Sequence, residues 1–132
     1  MRIAYTIARI LLGLQFGVLG MNGFLMFLPN PPPGTIPPTA MTFAVAMATS
    51  HFSYLVFGVQ VIGGILLLLN RYVPFALVML AAVLANVLTF HITMWPATLF
   101  PLPIIAVILW FIVAWPLRAH FAPLFAQKVE VK

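Results

Sequence analysis

The sequence contains no cysteine. That excludes disulfides, thiolate metal sites and CxxC redox chemistry within the chain, and it carries no information about compartment. Acidic residues are almost as scarce: Glu130, close to the C-terminus, is the only one. Carboxylate pairs and triads with an acidic member are therefore excluded, and no phosphate-cradling glycine loop is present. No complete catalytic constellation exists, so the catalytic set is empty. Charge of either sign is rare. Charged residues are 5% of 132, against roughly 25% in a soluble domain, and so few charges cannot build a water-facing surface.

What fills the chain is hydrocarbon: 64% of the residues are hydrophobic. The composition reads as one integral membrane domain over residues 1–132, with no room for a soluble appendage. The basic N-terminus MRIAYTIARILLGLQFGVLG begins like a signal peptide, but the apolar run continues to Leu28 and no A-x-A site follows, so cleavage is not expected.

Crossing a hydrocarbon core of about 30 Å takes about 20 apolar residues as helix. The expected fold is all-α, a four-helix membrane bundle with spans at about 3–28, 52–69, 74–94 and 102–117. The proline-rich NPPPGTIPP ends the first span, because proline cannot continue a helix. It leaves an outer loop over 29–39, with Thr39 as a possible cap for the next helix. Residues 40–69 would make a helix of about 45 Å, too long for one span. The polar SHFS (50–53) marks the change from an outer amphipathic segment, 40–51, to the span proper. Residues 118–132 read as a surface-lying cytoplasmic tail. Whether Pro31–Pro38 is a stiff connector or recruits a partner is left open.

Four spans separate the charges. Arg2, Arg9, Arg71, Arg118, Lys128 and Lys132 fall on one side, and the two loops on the other side have none. Positive-inside logic places both termini in the cytoplasm, as in a bacterial inner-membrane protein. The scattered basic residues form no patch with interleaved aromatics, which argues against nucleic acid as a partner. The partners expected are the lipid bilayer and either a protein subunit or further copies of the chain.

Polar groups inside a bilayer are costly, so their depth is informative. Counting along the helices places Asn22, Ser53, His51 and His91 in an outer layer. Gln15, Gln60 and Asn86 fall in a deeper one, expected as an interhelical polar layer. His51 joins the outer group only if the chain bends near Ser50. Gly13, Gly17 and Gly20 share a face of the first helix, with Arg9 below, and small residues let helices approach closely. Arg9 is expected to snorkel to the headgroups. His91 has several readings: a hydrogen bond to Asn22 or to backbone, a contact to a small molecule such as a quinone, a proton relay, or metal or haem ligation. Haem would need an opposed axial ligand, and no metal set is assigned. The fourth span, IIAVILWFIVAW, has no polar residue; it is expected to face lipid or a partner subunit, with Trp110 packing near mid-span.

The segments RILLGLQFGVLGMNGF, VQVIGGILLLLNRYVPFAL and NVLTFHITMWP, together with the proline-rich loop, resemble DoxX-like membrane proteins over residues 8–125. The resemblance implies a four-helix membrane bundle and a redox association, since the family's name comes from a subunit of a thiosulfate:quinone oxidoreductase. Other relatives are linked to thiol-oxidant defence or receptor assembly. Asn22 occupies a position where lysine is frequent in the family, and Gln60 one where many relatives have glutamate. Asn86 and His91 match the third-span pattern. Gln60 departs from a proton-coupled pattern, and the absence of cysteine from a thiol-redox one. The function expected on this basis is a small inner-membrane subunit of a redox complex that binds a quinone or other lipophilic molecule near the outer leaflet, with Asn22 and His91 as hydrogen-bonding groups and Ser53 and His51 beside them. The alternative is a structural or assembly subunit without a ligand, whose glycine face and fourth span would serve as docking surfaces.

Overall fold

The computed structural model describes residues 2–132, and every regular element among them is helical. α1 spans Arg2–Leu25, α2 Pro38–Thr49, α3 Ser53–Leu69, α4 Val73–Met94 and α5 Leu102–Ala114, with 3-10 turns at Pro96–Thr98, Trp115–His120 and Ala122–Phe125. Three stretches are long and apolar enough to cross a membrane: α1, α4, and α5 taken with the turn that follows it. The bent pair α2–α3 is a fourth candidate.

α1 packs against α3 and α5, α3 against α4, and α4 against α5. α1 and α4 therefore stand diagonally opposed. Leu12, Leu67, Leu77, Leu80 and Val113 are fully buried where these helices meet. Outside them, Leu11, Ile62, Ile108 and Phe111 remain exposed. An apolar interior inside an apolar exterior is what a helix assembly solvated by hydrocarbon requires.

The closest approach is between α1 and α3. A Cβ placed on Gly64 would lie 2.6 Å from the Gly17 backbone nitrogen and 2.8 Å from the Gly13 carbonyl oxygen. Only glycine permits this contact. The glycine face is therefore spent inside the chain, which corrects its expected use as a docking surface. Further along, Gly20 meets Val61, so residue numbers rise on α1 as they fall on α3. The two helices run antiparallel. The N-terminal end of α1, the C-terminal end of α3 and the following turn share one end of the molecule, and that end holds Arg2, Arg9 and Arg71.

Arg9 does not snorkel. It is 8% exposed, and its Nη1 donates to the Leu67 carbonyl and, at 3.4 Å, to that of Leu68. The last carbonyls of a helix lack intrahelical donors and carry partial negative charge, so α3 offers the guanidinium a better site than a short reach to the surface. The same helix end closes as a Schellman motif. Asn70 adopts φ 55°, Arg71 N–H donates to Leu66 O at 3.0 Å, and Asn70 N–H to Leu67 O at 3.2 Å.

Helix boundaries correct several expectations. α1 stops at Leu25, before the end of the apolar run, because Met26 turns left-handed with φ 51°. α2 begins at Pro38 with no side-chain cap, so Thr39 does not cap it. The break at SHFS is real: α2 and α3 meet at 86°, with His51 at φ 63° at the corner. Along α2 the apolar residues Met41, Phe43 and Val45 are exposed, and Thr42 and Thr49 return their hydroxyls to Pro38 O and Val45 O. α5 ends at Ala114 because Pro116 lacks the N–H that would continue the ladder, and the chain tightens into 3-10 geometry.

Candidate functional site

The seven candidate polar residues make no hydrogen bonds to one another. They divide among separate corners of the molecule.

At the C-terminal end of α1, Asn22 acts as a local cap. Its Oδ1 accepts from Leu28 N–H at 2.8 Å, and its carbonyl accepts from Met26 N–H at 2.8 Å. The side chain fastens the chain as it leaves the helix. Beside it an aromatic run crosses to α3. Phe24 lies 5.6 Å from Tyr54 between ring centroids, and Tyr54 lies 5.1 Å from the His51 ring. The chain does bend near Ser50, the condition His51 required, but His51 then packs on Tyr54. Ser53 is buried at the start of α3.

His91 occupies a different corner, near the end of α4. Its Nδ1 lies 2.7 Å from Thr98 Oγ1, and Thr98 Oγ1 donates to Trp95 O at 3.0 Å. A hydroxyl has one hydrogen. Thr98 can give it to Trp95 O or to His91 Nδ1; with the hydrogen on Trp95 O, Nδ1 carries the ring hydrogen and Nε2 is a bare acceptor. Phe90 packs edge-on to the imidazole at 5.1 Å and also contacts Phe43 of α2 at 5.4 Å. Asn22 and His91 thus sit on diagonally opposed helices, each with its own partner. Sequence reasoning missed Thr98. The Trp95–Pro96 break that folds the chain back on α4 was its only signal.

The deeper group also separates. Gln15 Nε2 donates to Leu102 O at 2.9 Å, a contact between α1 and α5. Asn86 Nδ2 donates to Ala82 O of its own helix at 2.9 Å, so it does not join helices. Thr89 and Thr93 follow the same pattern, bonding to Ala85 O and Thr89 O. A side chain four residues along reaches the preceding turn before it reaches a neighbour. Gln60 is buried where α3 meets Gly20. Of the expected interhelical layer, Gln15 alone makes its bond across helices. Outside that layer, Trp110 Nε1 donates to Leu77 O at 2.9 Å, tying α5 to α4 as Arg9 ties α1 to α3.

No protein-family model, curated protein or solved structure matches the chain.

Proposed function

We propose that the chain is a four-span membrane protein of the DoxX-like kind that serves as a structural or assembly subunit of a membrane redox complex. The observation that carries this reading is the fate of the polar side chains. Arg9, Gln15 and Trp110 bond to backbone carbonyls of neighbouring helices, and Asn22 and Asn86 bond to nearby backbone of their own segments, so these polar groups are taken up in the fold itself. The end that gathers Arg2, Arg9 and Arg71 faces the cytoplasm by the positive-inside rule. Both termini lie on that side, in a bacterial inner membrane. Electron transfer belongs to a partner, since this chain supplies no redox centre of its own side chains. Purification under mild detergent tests the role. Stable association with a dehydrogenase or oxidase is expected, with activity unchanged by Asn22→Ala or His91→Ala. A chain that purifies alone and leaves such activity intact when deleted removes the idea.

One observation favours a second reading, a lipophilic redox ligand at His91. In the tautomer with Nδ1–H on Thr98, the neutral imidazole presents a bare Nε2. It accepts a hydrogen bond, so it suits a quinol hydroxyl better than a quinone carbonyl. Binding of quinone and quinol to wild type and His91→Ala in nanodiscs is the test. This reading expects quinol bound more tightly, with the preference lost in the variant. Equal binding by both proteins ends it.

A further inference from the structure

Towards the C-terminal end of α5, a half-open groove of about 300 Å³ runs between α4 and the final 3-10 turns. Val78 and Ala81 line it from α4, and Trp110, Phe111, Phe121 and Leu124 line it from the other side. The Trp110 and Phe121 rings stack at 6.4 Å. The lining is hydrocarbon and aromatic apart from Arg118. That guanidinium is held in place: Nη1 donates to Trp115 O at 2.7 Å, and its carbon lies 4.6 Å from the Trp115 ring centroid. A guanidinium has five N–H donors, and this bond uses one of them. The chain's single acidic residue, Glu130, is set against six basic ones.

A fixed cation beside an apolar groove matches a ligand with a negative head and a hydrocarbon tail. We propose that this groove seats an acyl chain of an anionic phospholipid, with the phosphate on Arg118. The proposal rests on the membrane reading above, which puts this end in the inner leaflet, where anionic headgroups attract basic residues. Arginine's planar fork pairs with phosphate oxygens in two-point geometry. A peptide would need partners for its backbone polar groups, and this lining supplies none besides the one cation. A zwitterionic lipid would fill the groove without matching its charge.

The test uses the full chain in vesicles of phosphatidylcholine and phosphatidylglycerol, with flotation to establish membrane insertion. Gentle extraction and native mass spectrometry then count retained lipids. Wild type should retain phosphatidylglycerol over phosphatidylcholine by roughly fivefold, the scale of one basic contact. Arg118→Gln should abolish the preference and Arg118→Lys should keep part of it. Ala81→Phe, which fills the groove, should lower retention of both lipids. Leu124→Ser, at an exposed position that folding does not depend on, should lower it less. An unchanged preference in Arg118→Gln overturns the proposal. So does an equal loss in Arg71→Gln, which would mean diffuse charge, or full retention in both groove variants. A wild-type chain that fails to float with vesicles brings down the membrane reading, and the lipid site with it, before any lipid is counted.

Discussion

Gly64 of α3 lies against Gly17 of α1, backbone to backbone, with room for no side chain between them. The obstruction a Cβ would meet is main chain, which cannot rotate away. Gly64→Ala should therefore force α1 and α3 apart and destabilise the fold by roughly 1–3 kcal/mol, the usual cost of overpacking. Gly17→Ala provides the contrast, since a Cβ there meets nothing within 4 Å. It should be neutral or slightly stabilising through helix propensity. Unfolding of detergent-solubilised protein by sodium dodecyl sulfate would measure both, and equal losses would refute the packing argument.

Arg9 should be a stability residue. Arg9→Met keeps much of the buried stem and removes the donors to the Leu67 and Leu68 carbonyls. Hydrogen bonds involving a charged group contribute about 1.5–3 kcal/mol, so a loss on that scale is expected in the same assay. Arg9→Lys should recover only part of it, because one ammonium does not reproduce the fork. If Arg9→Met is as stable as wild type, the guanidinium does not clamp α3.

At Asn70 the backbone conformation sets the outcome. The left-handed φ of 55° is tolerated by glycine and asparagine and disfavoured for branched side chains. Asn70→Gly should be close to neutral. Asn70→Val should cost about 1–2 kcal/mol. Thermal unfolding followed by circular dichroism would rank the two, and the reverse order would contradict the Schellman closure.

The His91–Thr98 contact invites a double-mutant cycle. Thr98→Val removes the hydroxyl at nearly constant shape, and His91→Ala removes the ring. If the hydrogen bond holds the Pro96–Thr98 turn against α4, the two losses should be non-additive by about 1 kcal/mol. Asn22→Ala combined with His91→Ala should be additive, since these residues stand on opposed helices. Coupling between Asn22 and His91 would indicate an outer cluster after all.

Much of the helix plan was legible in the sequence, because hydrophobic run length and proline position act locally. The expected segments lie close to α1, α3, α4 and α5, and SHFS marked the corner at His51. Boundaries drifted where a single backbone angle decided them, as at Met26, or where Pro116 changed the helix type. The polar site was less legible. Residue counting gives height and helical angle gives face, but neither names a partner. Asn22 took a backbone N–H six residues ahead, Asn86 took a carbonyl one turn back, and His91 took a hydroxyl delivered by a reversal of the chain. Local groups compete at short range, and the long-range pattern expected from depth alone lost to them. Arg9 failed for the opposite reason. Its partners lie far along the chain, where no periodicity points.

That distance has a consequence for the order of assembly. Arg9 meets a carbonyl 58 residues further on, and such a contact forms only after the intervening loop has closed. During synthesis the charge on α1 has no partner until the last turn of α3 exists. Joining Arg9 to Leu67 therefore marks the moment the α1–α3 pair is complete. If the contact seals that pairing after it has started, weakening the clamp should speed unfolding while leaving the folding rate nearly unchanged.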